Sequence, residues 1–414
     1  MSKRIMARQR KYSIVLYGAT GFTGKLTAAY LDTHPELQSE RWAIAGRNKA
    51  ALDAVRDTLS SSAVDVIVCP LDDPEVVDAM VKSTRVVITA AGPYSSYSGD
   101  SLLGACARTG THYADLSGEG FWQREMIEQF HEVAKAGGAK IILGGGVDSI
   151  PSDLGAYLAI NALGCKPGSD ETIQVTGVYT EYSGSFSGGT LASGRAYAKA
   201  IKTGRLSPEA QHDPYLLAPG VTGLDSAVAT LSGMPRAYRV QVDETYGLLL
   251  PFFMAGINAP VVRRSLALRK LAASVSYREC CSAGMWGRAL WLYSSRGFGY
   301  PLLEPIKFAP KSGEGPPRWM IKQGAFKVEV TAKTSNGLSV TTVVAGKGDP
   351  GYGATSKMLA EVGLCLLAEH NEKPTAAGVL TPSTALGSAL VDRLASAEDG
   401  NFMQLTLASG SRAS

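Results

Sequence analysis

The feature that most constrains this chain is an apolar run, Tyr12-Ser-Ile-Val-Leu-Tyr17, that feeds a turn carrying three glycines, Gly18-Ala-Thr20-Gly21-Phe22-Thr23-Gly24. A helical pattern through Leu26, Ala29 and Tyr30 follows directly. In a strand-turn-helix setting each glycine has a separate purpose. Gly18 lets the chain leave the strand sharply, Gly21 removes a Cβ where a diphosphate must lie against the backbone, and Gly24 lets helix and sheet approach. The N–H groups and positive dipole end of the helix then face the phosphates. A chain that starts this way is expected to fold as a doubly wound α/β domain.

The rest of the amino-terminal part repeats the unit. A helix is expected over 48–60, a strand at Asp65–Cys69, and a helix that begins at Pro74 with Asp73 as its cap. Strands at Arg85–Ala90, His112–Asp115 and Lys140–Leu143 alternate with helices at 99–109 and 120–136. In such sheets ligands lie outside the carboxyl ends of the strands, so the residues just past those ends carry the site.

The end of the second strand discriminates between cofactors. A binder of NAD normally places Asp or Glu there for the ribose 2′-hydroxyl, whereas this chain reads Ala45-Gly46-Arg47-Asn48. Gly46 leaves room for a larger substituent and Arg47 offers a planar, permanently charged fork suited to a phosphate, which favours NADP(H). Leu71 and Asp72 are expected beside the adenine, and Ala91, Gly92 and Pro93 beside the nicotinamide ribose. Tyr94 would then stand near the reactive ring. Beyond the later strands lie Asp115, Ser117 and Glu119, then Gly145-Gly-Val-Asp148-Ser149-Ile-Pro-Ser152-Asp153. Asp115 and Ser117 could equally cap the next helix, and Asp148 with Ser149 could equally serve a loop.

Composition narrows the class. With 414 residues, 45% hydrophobic and 19% charged, the chain can build two sizeable cores and is neither disordered nor fibrous. A net charge of +4 is small for this length, and no basic and aromatic single-strand platform stands out, so no nucleic-acid partner is expected. The six cysteines are scattered without a C-x-x-C pair and the five histidines lack ligand spacing. They suggest a reduced, cytoplasmic protein without a metal. The basic start, Met1 to Lys11, makes a poor signal peptide, and no apolar run of 18 residues is present.

The middle of the chain changes character. Glu171–Tyr179 is β-rich and runs into Ser183-Gly-Ser-Phe-Ser-Gly-Gly-Thr190, while Phe326–Lys333 and Leu338–Val344 flank Asn336-Gly337, a two-residue hairpin signal. These are expected to be antiparallel strands of a second domain. Between Val261 and Lys311 stand nine Lys or Arg against two acids, interleaved with Trp286 and Trp291. Such a segment either docks on a membrane interface or forms a lid or dimer helix whose apolar face is buried in protein.

Taken together, GATGFTG, AGR, GPY, YADLSGE, GGVDSIPSD, SGGT, Asp213-Pro-Tyr215, Arg263-Arg-Ser265, Gly313-Glu-Gly-Pro316, GDPGY and Leu380-Thr-Pro382 resemble the saccharopine dehydrogenase-like oxidoreductases. Within that family the chain is most similar to the mycobacterial trans-acting enoyl reductase branch. The resemblance runs from about residue 11 to 395. It implies a Rossmann-type doubly wound parallel sheet over 1–155, an inserted α+β domain over 156–348, and C-terminal helices over 349–414 that return to the first domain.

The same resemblance implies reduction of an activated carbon-carbon double bond in a lipid or polyketide-like chain, free or carrier-bound. Hydride goes to the β carbon, charge collects on the carbonyl oxygen, and a donor must hold that oxygen before the α carbon is protonated. Tyr94 is the first candidate donor. Asp148 with Ser149 would orient substrate or water, and Asp115 or Glu119 would relay a proton if burial raised the carboxyl. Saccharopine-forming enzymes need cations for a polycarboxylate substrate, whereas residues 181–195 offer only Arg195. An imine dehydrogenase and a non-catalytic, lipid-associated cofactor binder are the alternatives.

Overall fold

The computed structural model describes residues 10–61, 64–168, 170–184, 188–211, 213–226, 240–285, 315, 318–370 and 376–412. The amino-terminal part alternates β1 (Tyr12–Tyr17), α1 (Phe22–Thr33), β2 (Trp42–Gly46), α2 (Lys49–Arg56), β3 (Val64–Val68), α3 (Pro74–Ser83), β4 (Thr84–Thr89), α4 (Gly99–Thr109), β5 (His112–Asp115), α5 (Gly120–Gly137) and β6 (Lys140–Ile142). The middle holds α6 (Ile150–Ala162), β7 (Ile173–Ser183), α7 (Gly188–Lys202), α8 (Pro208–Gln211), β8 (Gln241–Asp243), β9 (Gly247–Pro251), α9 (Ala255–Leu268), β10 (Val275–Ser282), α10 (Arg318–Gln323), β11 (Ala325–Thr334) and β12 (Leu338–Lys347). The chain closes with α11 (Thr355–His370), β13 (Gly378–Leu380), α12 (Pro382–Gly400) and β14 (Met403–Arg412).

The first sheet is parallel, in the order β13-β6-β5-β4-β1-β2-β3. Every residue of β1 and β2 is buried, as a central parallel strand covered by helices on both faces requires. Asp73 caps α3 as its sequence suggests, accepting from the N–H groups of Glu75 and Val76.

The second sheet runs β14-β12-β11-β7-β10-β9-β8, with β7 and β10 parallel and the other pairs antiparallel. Burial alternates strictly along β10, the mark of a strand with one covered face. Helix α9 packs on β10, and α6 covers β7, β11 and β12. The β11–β12 hairpin turns at Asn336-Gly337, where Gly337 takes φ +92°.

Two features depart from the sequence reading. The boundary placed at 155 falls inside α6, which packs on β11 and β12 of the second sheet although it follows directly on the first. The carboxyl-terminal segment is also not purely helical. Helix α11 packs on α1 and on β1, β4 and β5, β13 adds the seventh strand to the first sheet, and β14 adds an outer strand to the second. One apolar core therefore spans both sheets, joining Ile14 and Leu16 to Val328 and Val330.

Candidate active site

The glycine turn is built for a group with no side chain beside it. Gly18 takes φ +80°, and a Cβ there would lie 2.8 Å from that of Ala91, so β1 and β4 meet at this residue. A Cβ on Gly24 would lie 2.2 Å from the carbonyl oxygen of Gly18 and 2.8 Å from Cα of Ala19. Gly21 differs: its absent Cβ would meet only the Gly18 oxygen, at 3.4 Å. Space is therefore open at the residue expected to face a diphosphate, while its two partners are closed by backbone. No side chain caps α1 and no acid stands in its first turn, so nothing among the described residues competes for its leading N–H groups. The hydroxyls of Thr20 and Thr23 border the same turn, half-buried. Phe22 turns the other way, its ring edge-on to Tyr352 at 5.2 Å, and ties the turn to the start of the carboxyl-terminal segment. This cradle fits a dinucleotide.

At the far end of the turn, Arg47 is exposed just past β2 and pairs with no carboxylate among the described residues. Its guanidinium lies over the ring of Tyr97 at 5.4 Å. Gly46 is buried at the strand end, where a Cβ would meet Leu52 at an ordinary 3.6 Å. Asn48 uses its side-chain oxygen to cap α2, accepting from Ala51 N–H at 3.1 Å, which leaves only its amide NH2 for a ligand. Leu71 is half-buried and Asp72 exposed just past β3. Both Arg47 and Asp72 bear electrostatically on the Tyr17 phenol at the end of β1, whose hydroxyl donates to the carbonyl of Cys69 at 2.9 Å.

The β4 end departs most from expectation. Ala91 and Gly92 are half-buried and Pro93 buried, and the Gly92–Pro93 peptide is cis. Tyr94 is buried with its ring stacked on Trp122, and its hydroxyl donates to the carbonyl of Thr89 at 3.1 Å and accepts from Leu116 N–H at 3.0 Å. A phenol has one proton, and here a strand carbonyl holds it. Tyr94 is a strut between β4 and β5 rather than a free donor. We expect Tyr94→Phe to cost about 1–3 kcal/mol, because it takes a partner from a half-buried N–H and a buried carbonyl, while leaving the chemical step within a few-fold. Thermal melts and single-turnover rates check this.

Asp115 is equally engaged. One carboxylate oxygen accepts from Ser117 N–H, Ser117 Oγ and Gly144 N–H at 2.9, 2.7 and 3.0 Å, and the other accepts from Tyr113 at 3.0 Å. Burial lifts the group to about 6 against these bonds. Glu119 binds the N–H groups of Tyr94 and Ser95 and the hydroxyl of Ser193 on α7. Both carboxylates fix loops.

Asp148 contrasts with them. In the GGVDSIPSD loop, Val147 N–H donates to Thr355, Ser152 donates to Glu279 at 2.7 Å, and Asp153 accepts from Ser265 at 2.5 Å and from Ser383 through both its N–H and hydroxyl at 2.8 Å. The loop is thus a joint between elements far apart in the chain. Asp148 takes no part in it. Its half-buried carboxyl has no hydrogen-bond partner among the described residues, and loss of water alone lifts it to about 6. The neighbouring Ser149 hydroxyl is fully buried and also unpartnered among the described residues. A Cβ on Gly118 would lie 3.7 Å from the Asp148 carboxylate and 3.5 Å from Ile257, so the carboxyl stands beside the Gly118 backbone and the first turn of α9.

Residues 14–142 match the saccharopine dehydrogenase NADP-binding domain. A Mycobacterium tuberculosis protein provisionally named a trans-acting enoyl reductase is 36% identical, with 94% of this chain and 97% of that protein covered. The trans-acting enoyl reductase of Mycobacterium ulcerans is 34% identical over 93% of this chain and 96% of its own. The chain belongs to the trans-acting enoyl reductase family. Saccharopine dehydrogenase from Saccharomyces cerevisiae shares the fold at 13% identity, with a TM-score of 0.50 over 96% of this chain and all of that one.

Several motifs that mark the family prove to be joints. Arg263 pairs with Asp225 at 2.6 Å, Arg264 is buried and donates to the carbonyls of Leu217 and Val379, and Thr381 caps α12. The described half of the basic segment, 261–285, accordingly contributes an internal helix and a central strand. Arg269 and Arg278 bind Asn161 and Thr176. Residues 286–311, with both tryptophans, lie outside the described residues, as do 185–187 and the side chains of 188–192 from the SGGT motif. Arg195 is exposed on α7. Tyr182, within the 181–195 segment, forms an aromatic cluster with Phe252 and Phe253, which the sequence reading did not single out. Their only signal was composition, three aromatics in otherwise unremarkable strands and turns.

No helix among the described residues is long and apolar enough to cross a membrane.

Proposed function

We propose that the protein is an NADPH-dependent reductase of an α,β-unsaturated acyl substrate of low polarity, as the printed names of its mycobacterial relatives suggest. The observation that carries this reading is Asp148, a half-buried carboxyl just past the carboxyl end of β6 that has no hydrogen-bond partner among the described residues and is lifted to about 6. No cation among the described residues offsets its burial, which disfavours a pocket for a polycarboxylate such as an imine dehydrogenase requires. The aromatic cluster supplies an apolar wall instead.

Bound NADPH supplies the hydride. The open side of Gly21 and the leading N–H groups of α1 hold the diphosphate, and Arg47 holds the 2′-phosphate. Asp148 in its neutral form gives its proton to the α carbon and is left as carboxylate. Its partial exposure lets solvent return the proton.

The test is anaerobic incubation with NADPH and an enoyl thioester of medium chain length. The expected product is heavier by two hydrogens, formed one for one with NADP; unconsumed NADPH across a series of chain lengths overturns the reading. Arg47→Ser should weaken NADPH about 10–100-fold while leaving NADH almost unchanged, since only one of the two carries the phosphate that the guanidinium recognises.

A further inference from the structure

If Tyr94 is a strut, the developing charge on the substrate oxygen needs another donor. The phenols on the described elements between the two sheets are mostly committed. Tyr179 shares a hydrogen bond with Ser152 at 2.9 Å, Tyr277 donates to Glu279 at 2.7 Å, and Tyr113 donates to Asp115. Tyr182, near the carboxyl end of β7, is the exception. Its hydroxyl makes no hydrogen bond to a described residue, although its ring is held firmly, edge-on to Phe253 at 5.3 Å and to Phe252 at 5.6 Å. A rigid ring with an uncommitted hydroxyl is pre-organised for a ligand.

The charges around it point the same way. The Tyr182 phenol is raised well above its ordinary value, first by burial and then by Asp148, so it is a neutral O–H donor at working pH. Geometry brings the two elements together: β7 meets the Asp148 loop where Tyr179 shares a hydrogen bond with Ser152, and Ile257, which follows the Phe252–Phe253 corner, lies beside Gly118 and the Asp148 carboxylate.

We propose that Tyr182 is the oxyanion donor of this site: its hydroxyl binds the acyl carbonyl oxygen, and the Phe252–Phe253 face carries the adjoining chain. This rests on the reductase reading above. In the balanced step, hydride from the dihydronicotinamide forms the new C–H bond at the β carbon and the double-bond electrons move onto the carbonyl oxygen, where Tyr182 donates. The enolate then collapses as the α carbon takes the proton of Asp148. NADPH is oxidised, the alkene is reduced, and one proton is consumed from solvent.

The test uses Tyr182→Phe, which keeps the ring and its packing. On an enoyl thioester kcat should fall about 10²–10³-fold, with NADPH affinity and melting temperature unchanged because no protein hydrogen bond is lost. A loss of less than threefold, or a loss that tracks lowered melting temperature, overturns the proposal. A second readout needs no turnover. An acetoacetyl thioester bound to the wild type should show its enolate absorption band, and Tyr182→Phe should abolish it. Absence of the band in the wild type, or its persistence in the variant, overturns the role of Tyr182. Failure of NADPH consumption by the wild type on enoyl thioesters instead overturns the reductase reading itself.

Discussion

Gly21→Ala leaves the protein folded and removes its hold on NADPH, whereas Gly24→Ala damages the fold itself. The two residues stand one helical turn apart in the same motif, and the difference lies in what a methyl group would meet. At Gly21 only one carbonyl oxygen is near, at 3.4 Å, so exchange at this helix-cap position costs about 1 kcal/mol or less. The methyl nonetheless fills the open side on which a diphosphate would lie, and a loss of affinity of about 10²-fold or more is expected, close to 3 kcal/mol. At Gly24 the methyl would sit 2.2 Å from a backbone oxygen. Backbone cannot rotate away as a side chain can, so α1 must move off β1, at about 1–3 kcal/mol or more. Calorimetric titration with NADPH beside thermal melts of both variants checks the contrast. A Gly21→Ala protein that binds NADPH as the wild type does would remove the cradle from its assigned role.

Asp148→Asn should make the protein more stable and nearly inactive. The carboxyl stands at about 6 when folded, above its ordinary value of 3.8, so the native state binds the proton more tightly than the unfolded chain. Its stability contribution is therefore complete below about pH 4 and lost as pH rises through about 6, and neutral solution leaves the fold with the cost of a partly buried charge. A shift of this size corresponds to about 3 kcal/mol, reduced to roughly 1–3 by partial exposure. Removing the charge should raise Tm by about 1–4 °C at neutral pH and hardly at all near pH 4. The same change removes the transferable proton, so kcat should fall about 10²–10⁴-fold. The wild-type rate should also decline as pH rises above about 6, and the variant's residual rate should not follow that decline. Asp115→Asn is the control, because an amide cannot accept all the bonds that carboxylate accepts. A stability loss is expected there. An Asp148→Asn enzyme that is less stable than the wild type would place Asp148 among the joints as well.

Much of the first sheet was legible because its signals are local. Helix α4 and strand β5 have the bounds that periodicity suggested, and Asp73-Pro74 declared the start of α3 through cap and imino-acid chemistry acting over three residues. The Asn336-Gly337 hairpin was visible for the same reason. Strand β13 was not. It is three residues long and pairs with β6, more than two hundred positions earlier, so no pattern within Gly378–Leu380 could announce it. Position 155 falls inside α6, which is continuous with the first domain in sequence but packs on the second sheet.

The candidate site divides along the same line. The place proposed for a dinucleotide was legible in the chain alone, since the spacing of Gly18, Gly21 and Gly24 and the exchange of an acid for Arg47 act within one strand-turn-helix unit and the strand beside it. The chain also placed Tyr94, Asp115 and Asp148 at or just past strand ends. Only the tertiary structure decided which of these groups is committed. Tyr94 donates its hydrogen bond to Thr89 and Asp115 is saturated, while Asp148 has no hydrogen-bond partner among the described residues and β7, which carries Tyr182, is joined to its loop through Tyr179 and Ser152. A side chain's chemistry is written in the sequence, but whether its hydrogen-bonding capacity remains free depends on neighbours that burial brings from distant parts of the chain.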